Sequence, residues 1–273
     1  MISSLPTWLS QAPEPPAPGF KAPSGEDFNI PPMFEGVPVL EYVDKPVIQL
    51  VFSVVLILAF FGLATRSAQL LPGRVQFAAE KFHVLVRDSI ARDNIGPEFR
   101  KFVPYLVALF AFLLVNNLFG IIPLIQFPTF SHPGMAYAPA ILTWLIYNIV
   151  GIRKQGFGGY VKLMVWPPGV PAWVRVILTP IEFLSNILLR PVTLAFRLFG
   201  NMFAGHLLLL VFIFGAEYML LIADSLLLNV LSVGSFAMAL VFTGFEAFIQ
   251  LVQAYIFTIL TASYIGASLA DEH

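Results

Sequence analysis

Long apolar runs separated by short polar clusters give the first picture of this chain. Val47–Ala64, Phe102–Ile125 and Ala136–Ile152 are each long enough, or nearly so, to cross a hydrocarbon core of about 30 Å as a helix. Between the first two runs, Val75, Ala78, Ala79, Phe82, Leu85, Val86 and Ile90 recur at three- and four-residue spacing, with Arg74, Lys81, Arg87, Asp88 and Arg92 between them. That period predicts an amphipathic helix lying along the membrane interface. It serves either as a docking surface or as a plain linker. From Thr179 the pattern changes to two apolar stretches, 179–222 and 225–269. As continuous helices each would measure about 65 Å, roughly twice the hydrocarbon thickness. Each stretch is therefore either a pair of short spans or one steeply tilted helix.

Polar residues inside those stretches favour the second form. Glu182, Asn186, Arg190, Thr193, Arg197 and Asn201 succeed one another at intervals of 4, 4, 3, 4 and 4. On an unbroken helix they form one stripe about 28 Å long. A turn at Gly200–Asn201 would have no reason to keep that register on both sides. The second stretch carries Thr243, Glu246, Gln250 and Gln253 at intervals of 3, 4 and 3, again on one face. The pattern predicts an all-α polytopic membrane protein, with transmembrane helices, an interfacial amphipathic helix and two long tilted C-terminal helices.

Charge fixes an expected orientation. Of 15 basic residues, two (Lys21 and Lys45) lie in the N-terminal arm, seven between Arg66 and Lys101, and four between Arg153 and Arg175. The last two are Arg190 and Arg197, and no lysine or arginine lies beyond them. The positive-inside rule puts the 66–101 and 153–175 segments on the cytoplasmic side and the linker Gln126–Met135 outside. The expected order is an outer arm (1–45), a first span (46–65), an inner amphipathic region (66–101) and a transmembrane hairpin (102–152). An inner loop (153–178) and the two long helices (179–273) complete it. The arm is proline-rich and does not read as a cleavable signal peptide.

Composition excludes several functions. Hydrophobic residues make up 58% of the chain and charged ones 11%, against roughly a quarter in soluble domains. A net charge of −1 gives no footprint for nucleic acid. The absence of cysteine removes thiolate chemistry, and there is no G-x-x-x-x-G-K-[ST] phosphate loop. No metal or cofactor motif stands out.

Ionisable residues inside apolar segments cost about 2.5–3.5 kcal/mol on insertion scales and are functional candidates by default. Glu217 and Asp224 flank the break between the long stretches, where a solvated turn accounts for them. Glu182 and Arg190 lie near the cytoplasmic entrance, as a snorkelling pair or as part of a path. Arg197, His206 and Glu246 fall deep along the long helices. A secondary transporter with Arg197 binding an anionic substrate would require inverted repeats and broken helices, and no internal repeat is visible. A structural anchor leaves the two polar seams unexplained.

The run from Arg190 to His206, with its core R-L-F-G-N-M-x-A-G, closely resembles the signature of subunit a of F-type ATP synthases. The stretch Leu251–Thr261 is similar to that family's C-terminal helix, and Pro180-Ile181-Glu182 to the start of its first long helix. The resemblance covers about residues 40–270. It implies a non-catalytic, cofactor-free transport subunit that moves protons through the Fo sector past a ring of c subunits. Further implied partners are b-type peripheral stalk subunits, the F1 sector and the lipid bilayer, most readily in a bacterial plasma membrane. Sodium selectivity would be written mainly on the rotor subunit, so the proton is the default ion.

The resemblance also implies roles. Arg197 matches the essential arginine, which ionises the rotor carboxylate between two offset half-channels. Asn201, His206, Glu246 and Gln253 match polar positions on the outer path, with imidazole on the first long helix and carboxylate on the second. Glu182, Asn186, Arg190 and Thr193 fall in the region of the inner path.

Overall fold

The computed structural model describes residues 20, 22–28, 45–66, 69–122, 125, 127–165, 172–222 and 225–270. Most of the arm 1–45, residues 166–171 of the expected inner loop, and Asp224 lie outside the described residues. All regular structure among the described residues is helical. Beyond a short 3-10 turn, Gly25–Phe28, the helices are α1 (Lys45–Thr65), α2 (Arg74–Val84), α3 (Asp93–Ile95) and α4 (Val103–Phe119). Further along, the described residues form α5 (Pro133–Val165), α6 (Ala172–Leu184), α7 (Arg190–Leu221) and α8 (Leu226–Leu269).

Four helical stretches are long and apolar enough to cross a membrane: Lys45–Thr65, Pro133–Lys162, Leu178–Leu221 and Leu226–Leu269. The last two run 44 residues each, about 66 Å at 1.5 Å per residue. Gly200 and Asn201 sit within α7, so there is no hairpin there. Helices of that length remain in hydrocarbon only at a steep tilt. α4 has 17 residues, about 25 Å. It is largely covered by α1, α8 and the helical segment from Leu85 to Arg92, and its Leu106 and Leu113 are completely buried.

Polar side chains clasp the helices where lipid offers no partner. Asn116 Nδ2 of α4 donates to Ser53 Oγ of α1 at 2.9 Å. Gln49 Nε2 of α1 donates to the Phe127 carbonyl at 3.2 Å, and Thr129 Oγ1 donates to Gln49 Oε1 at 3.3 Å. Asn117 Nδ2 of α4 reaches the Gln250 carbonyl of α8 at 3.0 Å.

The amphipathic region expected on the inner side is helical, but not a simple α-helix. α2 passes through a π-helical stretch, Leu85–Arg92, into α3. Its buried face is Ala79, Val86, Ile90, Ala91 and Ile95, and Arg74, Lys81 and Arg92 are exposed. α8 meets this segment at Gly266, where a Cβ would fall 2.0 Å from the Asn94 carbonyl oxygen. Only glycine allows so close an approach.

α5 continues past Ile152 and breaks at Gly156 (φ 73°, ψ 162°), a left-handed conformation suited to glycine. Beyond the break, the Tyr160 ring packs over Gly151 and its hydroxyl donates to Asn148 Oδ1 at 3.0 Å. Just before it, Lys154 Nζ donates to the Leu269 carbonyl, and Gln155 Nε2 donates to the Ala270 carbonyl at 2.9 Å. These bonds satisfy carbonyls at the end of α8 that the helix cannot pair itself, and the lysine suits the negative end of its dipole.

Candidate functional site

α7 and α8 pack along most of their length, and the polar residues collect in two clusters, one between α7 and α8 and one where α5 and α8 meet the α6–α7 junction. Toward the α7–α8 connection, Asn201 Nδ2 donates to Gln253 Oε1 at 2.8 Å. One to two turns further along, His206 is 7% exposed and Glu246 is 4% exposed. Glu246 reaches this depth because α7 carries glycine opposite it: a Cβ on Gly205 would lie 3.3 Å from Glu246 Oε1 and Cδ. The carboxyl group therefore rests on the backbone beside His206, with no direct bond to the imidazole.

Among the described residues, no hydrogen bond satisfies either Glu246 oxygen, His206 Nδ1, the Gln250 amide atoms or Gln253 Nε2. Buried polar atoms are ordinarily paired, and leaving one unpaired costs about 1–3 kcal/mol. Six of the twelve such atoms among the described residues lie on this one seam, which leaves it with unmet hydrogen-bonding capacity.

The second cluster lies toward the start of α7. Asn186 Nδ2 donates to Glu182 Oε2 at 3.3 Å, and Tyr147 Oη donates to the Asn186 carbonyl at 2.9 Å. The Arg190 guanidinium stands 4.8 Å from the Tyr264 ring centroid, and the Tyr147 and Tyr264 rings are 5.7 Å apart. Arg190 is thus held by a cation–π contact from α8. The ion pairs among the described residues lie elsewhere, at Arg87–Asp88, Arg92–Asp88 and Lys101–Glu98.

The single stripe expected from 182 to 201 divides between two faces. A π-helical stretch, Ser185–Leu189, connects α6 to α7. Such a turn takes in an extra residue, which rotates the remainder of the helix by about 100°. Asn186 is buried against α5, whereas Thr193, Arg197 and Asn201 lie on an exposed face. The Thr193 hydroxyl bonds back to the Leu189 carbonyl at 2.7 Å. Arg197 makes no ion pair or hydrogen bond among the described residues, and it stands between the two clusters. It is about 10 Å along the helix from Arg190 and about 13 Å from His206.

Tyr147, Tyr264 and Gly205 are parts of the site that the polar pattern did not single out. The signal for Tyr264 is the seam itself: Gln250, Gln253, Phe257, Thr261 and Tyr264 continue one face of α8, and the first four are buried. Tyr147 and Gly205 carry no sequence signal of this kind, since their roles depend on which helices meet.

A family model described as ATP synthase A chain matches residues 47–266. Among curated relatives named ATP synthase subunit a, one from Nocardioides sp. is 47% identical over 265 residues, covering 93% of this chain and 95% of that protein. One from Pseudarthrobacter chlorophenolicus is 48% identical over 231 residues, covering 84% and 86%. One from Streptomyces lividans is 37% identical over 263 residues, covering 93% and 90%. With the family model spanning the long helices and near-complete overlap with these relatives, the chain belongs to the ATP synthase subunit a family.

Proposed function

We propose that the cluster between α7 and α8 and the cluster at the α6–α7 junction are separate half-channels and that Arg197 is the barrier and switch between them. Family membership implies a multi-pass membrane subunit of the Fo sector, which translocates protons. The observation that carries the finer reading is Arg197: an exposed guanidinium near the middle of a 44-residue apolar helix, without a partner among the described residues. Placing it there costs about 2.5–3.5 kcal/mol on insertion scales, which an opposite charge from another subunit would offset. A c-subunit ring presenting one carboxylate per subunit supplies that charge.

The guanidinium keeps its proton in a dry setting. A carboxylate arriving within a few ångströms is held ionised and so gives up its proton to the exit path. The same fixed charge repels a proton passing directly from one half-channel to the other. Ring rotation then becomes the one way across, which couples proton flow to ATP synthesis on the F1 sector. This chain makes and breaks no bonds on a substrate.

Asn201, His206, Glu246 and Gln253 form the outer path, in which imidazole and carboxylate relay protons by titrating in turn. Glu182, Asn186, Arg190 and Thr193 form the inner path. The basic segments 66–101 and 153–175 face the cytoplasm of a bacterial plasma membrane, with the N-terminal arm outside. The end of α8 lies against α3 of the basic interfacial segment, which supports a cytoplasmic C-terminus. b-type stalk subunits hold the complex against rotation. The unbroken course of α7 and α8 disfavours a transporter built on discontinuous helices.

Arg197→Ala tests the reading in inverted vesicles holding the assembled complex. ATP-driven proton pumping should be abolished while insertion and assembly persist. Normal pumping would refute the assignment.

A further inference from the structure

The described part of the N-terminal arm lies against α7 beside the buried imidazole. Phe28, at the end of the 3-10 turn, is 4% exposed. Its ring centroid is 4.9 Å from that of Phe203 and 5.7 Å from that of His206, the second pair at an interplanar angle of 62°. Phe203 in turn stacks on Phe199 at 5.3 Å. A Cβ on Gly25 would be in ordinary contact with the Phe203 ring, at 3.7 Å. Phe20 reaches further along, its ring 5.8 Å from Tyr218. The described residues of the arm thus meet α7 at Phe203, His206 and Tyr218.

We propose that Phe28 is a positioning residue of the outer path: its ring walls the arm-facing side of the His206–Glu246 pair, holds the imidazole plane, and restricts water to one approach. The inference rests on the outer-path reading above. Two observations support it beyond proximity. His206 has its edge-to-face aromatic neighbour on the arm, while Nδ1 has no hydrogen-bond partner among the described residues. The ring is thus oriented by packing rather than by a polar anchor, and edge-to-face pairs have a preferred geometry that supplies such orientation. The wall is also apolar: Phe28, Phe203 and Phe199 offer a water molecule no hydrogen bond, so hydration is directed to the seam, where the unpaired groups of Glu246, Gln250 and Gln253 lie.

The test uses the assembled complex in sealed vesicles and a membrane-impermeant thiol reagent supplied from the outer side. The chain has no cysteine of its own. Leu209→Cys is the reporter, since Leu209 lies on the buried face of α7 with His206 and contributes no proton-carrying group. Adding Phe28→Ala should raise its labelling rate about tenfold, on the scale of one aromatic contact. Phe28→Tyr should restore the slow rate, and Phe28→Leu should fall between. Thr193→Cys, labelled from the inner side, should be unaffected by any of the three.

A rise at both reporters would indicate general loosening of the fold and would overturn the proposal, as would no rise at Leu209→Cys. His206→Cys separates this failure from that of the underlying reading. If it labels from the outer side while Phe28→Ala changes nothing at position 209, the wall is wrong and the outer path stands. If it never labels from that side, both fall. Should Phe28→Ala fail to assemble, Phe28→Leu against Phe28→Tyr gives the same comparison.

Discussion

Asn201 of α7 and Gln253 of α8 share a hydrogen bond of 2.8 Å, one helical turn from Arg197. It ties the two long helices together where the exposed arginine face meets the buried seam, so its loss should alter how Arg197 is presented. Gln253→Leu and Asn201→Leu should each reduce proton transport. The double variant should be less impaired than the sum of the two, with a coupling of about 0.5–3 kcal/mol. Additive losses, measured as pumping rates in vesicles, would mean that the bond joins the helices without serving transport.

Glu246 and His206 are brought together by Gly205. Each single substitution of the acid or the imidazole by an apolar residue should cut transport by roughly 10²-fold or more, and the double variant should again be non-additive. Gly205→Ala is the subtler probe. Its Cβ would press on the Glu246 carboxyl group at 3.3 Å, whereas a Cβ on Gly200 meets nothing within 4 Å. Transport should fall about two- to tenfold for Gly205→Ala and stay near the parent rate for Gly200→Ala. Equal rates for the two variants would contradict the seating of Glu246.

Stability where α8 meets α3 should depend on the contact between Gly266 and Asn94. Gly266→Ala forces α8 away from α3, and overpacking of this kind costs about 1–3 kcal/mol or more. Thermal dissociation of the purified complex should shift downward, and the effect should not be reproduced by alanine at Gly244, which has open space beside it. An unchanged transition for Gly266→Ala would count against so close an approach.

Cysteines placed singly at 186, 190 and 193 should react with a water-soluble thiol reagent from the inner side, and those at 201 and 206 mainly from the outer side. The parent chain contributes no thiol background. Both Thr193 and Asn201 are exposed on α7, two turns apart, so a difference in sidedness between them reflects separate water paths rather than burial. Labelling of all five positions from one side would defeat the two-channel arrangement while leaving the family intact.

The long helices were legible because a polar register held across Gly200–Asn201, and α1 and α5 because long apolar runs leave a clear signature, whereas the run Phe102–Ile125 forms the shorter and largely buried α4. The interfacial helix was legible from its three- and four-residue period. The π-helical stretches at Leu85–Arg92 and Ser185–Leu189 were not, since a widened turn is set by backbone hydrogen bonds and neighbouring helices rather than by residue type. That is why Glu182 to Asn201 read as one stripe when Asn186 and Arg197 face different ways. Likewise the sequence could name His206 and Glu246, but not the glycine that lets one rest beside the other. Nor could it show the tyrosine that Arg190 lies over or the phenylalanine from the arm, because these contacts join residues far apart in the chain.

The clasps between α1 and α4 bear on how the chain matures in the membrane. Ser53 bonds to a residue 63 positions later, and Gln49 to groups 78 and 80 positions later. While α1 is alone in the bilayer, Gln49 lacks these partners and faces hydrocarbon that offers none, whereas the Ser53 hydroxyl keeps the Leu50 carbonyl of its own helix at 2.7 Å. Insertion and final seating of α1 are therefore distinct events, the second waiting on synthesis of α4 and the linker after it. In that interval the Gln49 amide is the polar group on α1 whose hydrogen bonds are still to be made.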